Sequence, residues 1–201
     1  MTAQTPAATQ LTNDEFDDLI DRINAHHQAT LAAITAGQPK PAPFVLPEGF
    51  DGGSNDDYTD LPQDSIDAFA TSRENNAGQA NGQTGHISGI SEDYKNEQIS
   101  GDDFDSQIDA QKQENISKFT DDQNATADKL KQSGHAHPEK QNRIVQAFKD
   151  AGDWIVNNLW GAVKDFFDKL AKQIEQWWNQ VVSWFNGAVD SLKSWWHGLF
   201  G

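Results

Sequence analysis

Apolar residues recur with helical spacing in three stretches of this chain and lose their pattern between them. The most regular stretch begins at Ile144. Ile144, Ile155, Phe166, Trp177, Ala188 and Leu199 stand 11 residues apart. One place on come Val145, Val156, Phe167, Trp178, Val189 and Phe200. Four places on come Phe148, Leu159, Leu170, Val181 and Leu192, and eight places on come Gly152, Val163, Ile174, Phe185 and Trp196. Polar registers repeat too, as in Gln146, Asn157, Asp168, Asn179 and Asp190. Eleven residues in three turns is about 3.67 per turn, so such a stripe runs nearly along the axis of a straight helix. Its arc of roughly 130° or more is broader than a two-stranded coiled-coil seam. The pattern predicts a Trp-rich amphipathic region over 140–201, either one long helix or a helical hairpin bent at Gly161 or at Asn186-Gly187.

Residues 1–37 hold a second pattern. Thr12 and Glu15 form a T-x-x-E capping box, and Phe16, Leu19, Ile20, Ile23, His27, Leu31 and Ile34 follow at helical spacing up to Gly37 and Pro39. The third pattern lies in 100–134. Ser100 and Asp103 cap it, and Phe104, Ile108, Ile116, Phe119, Ala127 and Leu130 form a stripe too narrow to hold a helix without a partner. Between them, 38–99 reads as a linker. It has a proline-rich start, QPKPAPFVLPEGF, in which Phe44, Val45 and Leu46 are the nearest apolar cluster, and a Gly/Asn/Gln-rich run, NNAGQANGQTGHISGIS. The expected class is all-α: a short N-terminal helix, a largely disordered acidic middle with one weak helix, and the long C-terminal element.

Charge sharpens this division. The 201 residues carry a net charge of −16 and a mean hydropathy of −0.74. Residues 1–140 have 9 Lys+Arg against 25 Asp+Glu, whereas 141–201 have 6 of each and all seven tryptophans. An acidic body is thus joined to a neutral aromatic tail. The acidity disfavours nucleic acid, whose phosphates it repels. The opening MTAQTPAATQ has no basic and apolar signal pattern, so a conventional signal peptide is not expected. The longest uncharged run near the tail, Gln176–Val189, has 14 residues, short of the roughly 20 a spanning helix needs.

Candidate chemistry is sparse. There is no cysteine. DGGSNDDYTD has the composition of a calcium loop without its ligand order, and neither GHISG nor GISED is a G-x-S-x-G elbow. His26-His27 are read as packed or solvent-facing rather than ligating, His135 and His137 as part of a plain flexible loop, and the sequons at Asn115 and Asn124 as chance matches. No catalytic group, metal site or cofactor is expected, which points away from an enzyme.

The expected functional surface is the apolar face of the tail. Its residues are Trp154, Ile155, Leu159, Trp160, Phe166 and Phe167, then Leu170, Ile174, Trp177, Trp178 and Val181, then Trp184, Phe185, Trp195, Trp196, Leu199 and Phe200. Tryptophan suits a membrane interface, where its ring is buried and its N–H meets water or headgroups. Five lysines against six acids over 144–201 mean that binding would come from apolar burial rather than from anionic lipid. The design resembles, as a physical class, apolipoproteins and lipid-droplet coat proteins. That resemblance implies a non-enzymatic, peripheral membrane or lipid-surface protein, in a stronger form a membrane-perturbing one. The alternative is a helical assembly protein (a coat, virion or injection-apparatus subunit) whose Trp face packs on neighbouring copies. The partners expected are a lipid surface and, through the same face, self-association.

Overall fold

The computed structural model describes residues 10–53 and 58–161, with Asp190, Ser194, His197 and Gly198. Among these, the elements are α1 (Asn13–Thr35), α2 (Gln63–Lys95), α3 (Gly101–Ala136), a 3-10 turn (Pro138–Lys140), α4 (Gln141–Trp154) and a π-helical continuation (Ile155–Trp160), with no strand. The all-α expectation holds for them.

Both sequence-predicted caps form. Glu15 N–H donates to Thr12 Oγ1 at 3.3 Å while Thr12 N–H donates to Glu15 Oε2 at 2.9 Å. Asp103 N–H donates to Ser100 Oγ at 3.1 Å, and Ser100 N–H returns the bond to Asp103 Oδ2 at 3.3 Å. Each box satisfies amides that the first helical turn leaves without partners.

The middle departs from the expectation. Residues 63–95, read as linker, form the 33-residue α2, and the weak helix runs on to Ala136 with α2 as its partner. Interior positions in α2 also recur every 11 residues: Ser65, Asn76 and Ile87; Phe69, Ala80 and Ser91; Ser72 and Gln83. Most of them are polar, so hydropathy does not mark this helix. The same spacing orders α1 (Phe16/His27, Ile20/Leu31, Ile23/Ile34) and α3 (Phe104/Asn115/Thr126, Ile108/Phe119/Leu130).

Pairings across the bundle fix its directions. Asp17 meets His135 and Asn24 meets Asn124, so α3 is antiparallel to α1. Ser65 meets Ser133 and Asn76 meets Asp122, so α2 is antiparallel to α3. Asn13 meets Gln141 and His27 meets Asp153, so α4 runs parallel to α1. The buried apolar residues form two clusters. One surrounds Phe16, Ile20, Phe69, Leu130, Ile144 and Phe148, and the other surrounds Leu31, Ile34, Ile87, Phe119, Leu159 and Trp160. The proline-rich stretch folds back along α1. The Phe44 ring lies 5.8 Å from His26, Leu46 is partly buried, and Lys40 Nζ donates to Asn157 Oδ1 at 3.0 Å. Val45, 81% exposed, is the exposed large hydrophobic of the described residues.

Two glycines set how closely the helices approach. A Cβ on Gly134 would stand 2.2 Å from Phe16 Cε1, and one on Gly152 would stand 2.0 Å from His27 Cε1. By contrast Gly78, Gly82, Gly85 and Gly89 of α2 face open space. Gly134→Ala and Gly152→Ala should each destabilise the chain by about 1–3 kcal/mol, because a buried ring has to move. Gly82→Ala and Gly85→Ala should each stabilise it by about 0.5–1 kcal/mol, because alanine costs less backbone entropy in a helix. Urea unfolding followed by circular dichroism reads both signs; equal signs at the two kinds of site would contradict this packing.

Candidate functional site

Of the expected surface residues, Trp154, Ile155, Leu159 and Trp160 fall among the described residues. Ile155, Leu159 and Trp160 are buried in the core against Leu31, Ile34 and Phe119, and Trp154 is partly buried on the same cluster. This part of the stripe is protein interior rather than a free face, because α1, α2 and α3 together cover it. Phe166, Phe167, Leu170, Ile174, Trp177, Trp178, Val181, Trp184, Phe185, Trp195, Trp196, Leu199 and Phe200 lie outside the described residues.

The π-helical turn has a definite effect on Trp160. In the 11-residue frame this residue shares its register with the partly exposed Lys149. A π turn holds more residues than an α turn and so retards the phase of the residues beyond it. Trp160 accordingly faces inward, with its ring edge-on to Phe119 at 6.1 Å.

Its indole finds a polar partner there. Trp160 Nε1 donates to Asn76 Oδ1 at 3.2 Å, and Asn76 Nδ2 donates to Asp122 Oδ2 at 2.9 Å and to the Ser72 carbonyl at 2.9 Å. Ser72 Oγ and Asn75 Nδ2 each donate to the Asp122 carboxylate at 2.6 Å. One buried acid thus ties α2 to α3, and through Asn76 it ties both to the start of the Trp-rich region. Burial pushes the Asp122 carboxyl above the usual aspartate range, against the three side-chain donors that favour the charged form.

A second charged group joins α1 to α4. His27, fully buried, places Nε2 3.3 Å from Asp153 Oδ1, and Lys149 Nζ donates to Asp153 Oδ2 at 2.9 Å. Burial would raise the Asp153 carboxyl, but the nearby His27 imidazole and the Lys149 ammonium, which donates a hydrogen bond to it, hold it below the usual range. Further down, a groove of about 380 Å³ lies between residues 51–53 and the start of α4. Its cations are committed: Lys140 and Arg143 both bond to Asp60, and the Arg143 guanidinium stacks over Tyr58 at 4.5 Å. Burial opposes ionisation of Asp60, yet those two cations lower its pKa. These ion pairs staple the returning loop to the start of α4.

The histidines and sequons have structural settings. His135 bonds Asp17 at 2.9 Å, Asn115 is buried, and Asn124 accepts from Asn24 and Gln28. Among the described residues no group of His, Asp or Glu is arranged to hold a metal. The Asn76 link left no sequence signal, because Asn, Ser and Asp in a polar stretch read as surface.

Asn76→Ala should cost about 2–4 kcal/mol in urea unfolding, since it strands the Trp160 N–H and weakens a buried carboxylate. The raised Asp122 pKa means that the native state keeps this proton where the unfolded chain has released it. Its contribution therefore falls as pH rises through the interval above the ordinary aspartate value of about 3.9. The stability lost on Asp122→Ala should be larger near pH 4 than near pH 7, a trend readable from paired urea melts. Asp60 and Asp153 run the other way: their stabilisation is present above the ordinary value and is lost as pH drops below it.

No protein-family model, characterised protein or solved structure matches this chain.

Proposed function

We propose that this chain is a non-enzymatic lipid-surface protein, in which an acidic helical body carries a Trp-rich segment to an apolar interface. The observation that carries the reading is a change of composition within one repeat. From 144 to 161 the stripe is mostly Ile, Val and Leu, and these residues fit the core of the body. From 162 to 201 nine of 40 residues are Phe or Trp, including the doublets Trp177-Trp178 and Trp195-Trp196. Bulky aromatic doublets are awkward to interdigitate in a tight core but suit the headgroup boundary of a bilayer. That segment has four lysines against four acids, so its affinity would derive from buried apolar area. The body, with 11 Lys+Arg against 27 Asp+Glu in 1–161, keeps the chain dispersed in water. No helix among the described residues is long and apolar enough to cross a membrane, and the proposed mode is shallow insertion.

A second reading is an assembly subunit whose Trp face packs on neighbouring copies. One observation favours it: Ile155, Leu159 and Trp160, from the same stripe, pack on protein.

Vesicle flotation of the full chain separates the two. On the lipid reading it floats equally with neutral phosphatidylcholine vesicles and with vesicles containing phosphatidylserine, and moderate salt leaves this unchanged. Trp177→Ser and Trp196→Ser each weaken binding by about tenfold, the order expected for losing one buried aromatic side chain. No flotation, together with a discrete lipid-independent oligomer in size-exclusion chromatography, would reject the lipid reading in favour of assembly. Dye release from the same vesicles distinguishes coating from perturbation.

A further inference from the structure

Helix α2 keeps one register with α3 along its length. Ser65 meets Ser133. Eleven residues up α2 and eleven back along α3, Asn76 meets Asp122. Eighteen further on in both, the Tyr94 ring lies 5.1 Å from that of Phe104. Equal steps on two antiparallel helices carry the register through the positions between. Gln83 is seven places past Asn76 and Asn115 is seven places before Asp122, so the two stand opposite each other. Both are interior, Gln83 3% exposed and Asn115 5%.

The two halves of α2 differ in how their buried polar groups are met. Up to Asn76 each has a partner. Ser65 Oγ and Ser133 Oγ share a hydrogen bond at 2.7 Å, Ser72 Oγ donates to Asp122, and Asn76 bonds both Asp122 and Trp160. Past Asn76 the partners stop. Gln83 leaves both amide atoms unpaired, as Asn115 leaves its Nδ2, and Gln79 Oε1 and Ser91 Oγ are unpaired as well. The backbone changes at the same point. Residues 63–77 contain no glycine, whereas Gly78, Gly82, Gly85 and Gly89 follow, and a Cβ on any of them would meet nothing within 4 Å. Close packing needs none of these four, and each loosens the helix. What holds 78–95 is apolar: Ala80 and Ile87, fully buried, with Ile90 and Tyr94 packed on the cluster that contains Phe104, Ile108 and Phe119 of α3.

We propose that residues 78–95 are a strap that opens from α3 while the rest of the body stays folded, with Gly78 as its hinge and the Asn76–Asp122 cluster as the last fixed point before it. Opening brings Gln83, Ser91 and the Asn115 amide to water, which supplies the hydrogen bonds that the closed state withholds. It also releases the backbone entropy that four helical glycines give up. Against this stands the apolar contact of Ala80, Ile87, Ile90 and Tyr94. The closed form therefore predominates, and the open form is a minor state of the folded chain. Opening uncovers Phe104, Ile108 and Phe119, which share one buried face of α3. On the lipid-surface reading this is a second apolar face for an interface to take up. That use rests on the reading; the opening itself does not.

Native-state hydrogen exchange of the full chain, in water and in low urea, reads the opening directly. Amides of 79–95 should exchange about a hundredfold faster than those of 66–76. Their exchange should also depend less on urea, since opening the strap exposes less surface than unfolding the body. Equal protection and equal urea dependence in the two halves would mean that α2 opens only with the whole body, and would overturn the proposal. The full chain carrying Gln83→Leu and Asn115→Leu supplies a second reading, because it removes both facing amides and keeps side chains of similar size. Exchange of 79–95 should slow about tenfold, as expected when the closed state no longer buries unpaired groups. Unchanged or faster exchange there overturns the proposal. Lipid is absent from both measurements, so failure here leaves the lipid-surface reading standing, and vesicle flotation tests that reading on its own.

Discussion

Eleven residues in three turns hold a stripe parallel to the helix axis, and the described helices bury their side chains at that interval. This spacing is the constraint on which the remaining features depend. Helices that do not wind tightly around one another lie side by side over long distances, and α2 and α3 do so for 33 and 36 residues. Close approach then depends on small residues at a few crossings, which is why Gly134 and Gly152 sit under the Phe16 and His27 rings. It also fixes the phase at which each helix presents its interior. Where α4 has to turn Trp160 inward from the register of Lys149, a π-helical turn supplies the shift.

A repeat that specifies position need not specify hydrophobicity, and this body uses that freedom. Ser65, Ser72, Asn76 and Gln83 occupy interior positions of α2, opposite Asn115, Asp122, Gln123 and Ser133 of α3. Where such groups find each other, as in the Asp122 cluster, they select one register of the hairpin, because a shift by one turn would bury an unpaired carboxylate. Where they do not, as at Gln83 and the Asn115 amide nitrogen, burial costs stability without return. Four glycines on the exposed face of α2 add to that cost. The upper half of the hairpin is therefore held less firmly than the lower half, where Phe16, Phe69, Leu130 and Phe148 pack together.

Legibility in the sequence followed the same division. The helices α1 and α3 announce themselves through capping boxes, in which a hydroxyl and a carboxylate three residues apart satisfy specific amides, and both boxes form as read. The α4 stripe was legible because its registers are apolar. What escaped was α2. Its turn-forming glycines and amides carry the signature of a linker, and the partner that makes it a helix lies as far as 68 residues away at Ser133. The placement of Trp160 escaped for a different reason. Periodicity assumes one pitch throughout, and a single π turn changes which side of the helix a residue faces. That Ile155, Leu159 and Trp160 would lie in the core of the body was likewise invisible, since spacing alone does not say what a face will meet.

That division bears on function through the amount of partner surface available. The body spends Ile144, Val145, Phe148, Ile155, Val156 and Leu159 on its own core, and Val45 is its exposed large hydrophobic among the described residues. In the sequence the stripe continues over the 40 residues past Gly161 and becomes more aromatic, with Trp177, Trp178, Trp184, Trp195 and Trp196 among them. Each such side chain left in water forgoes about 1.5–3 kcal/mol of burial. On the reading proposed above, an apolar surface of large extent would take up that surplus, and a bilayer interface would do so without requiring a matching set of knobs and holes. The absence of net charge on the segment fits this choice, because an interface reached by apolar burial needs no basic face to find it.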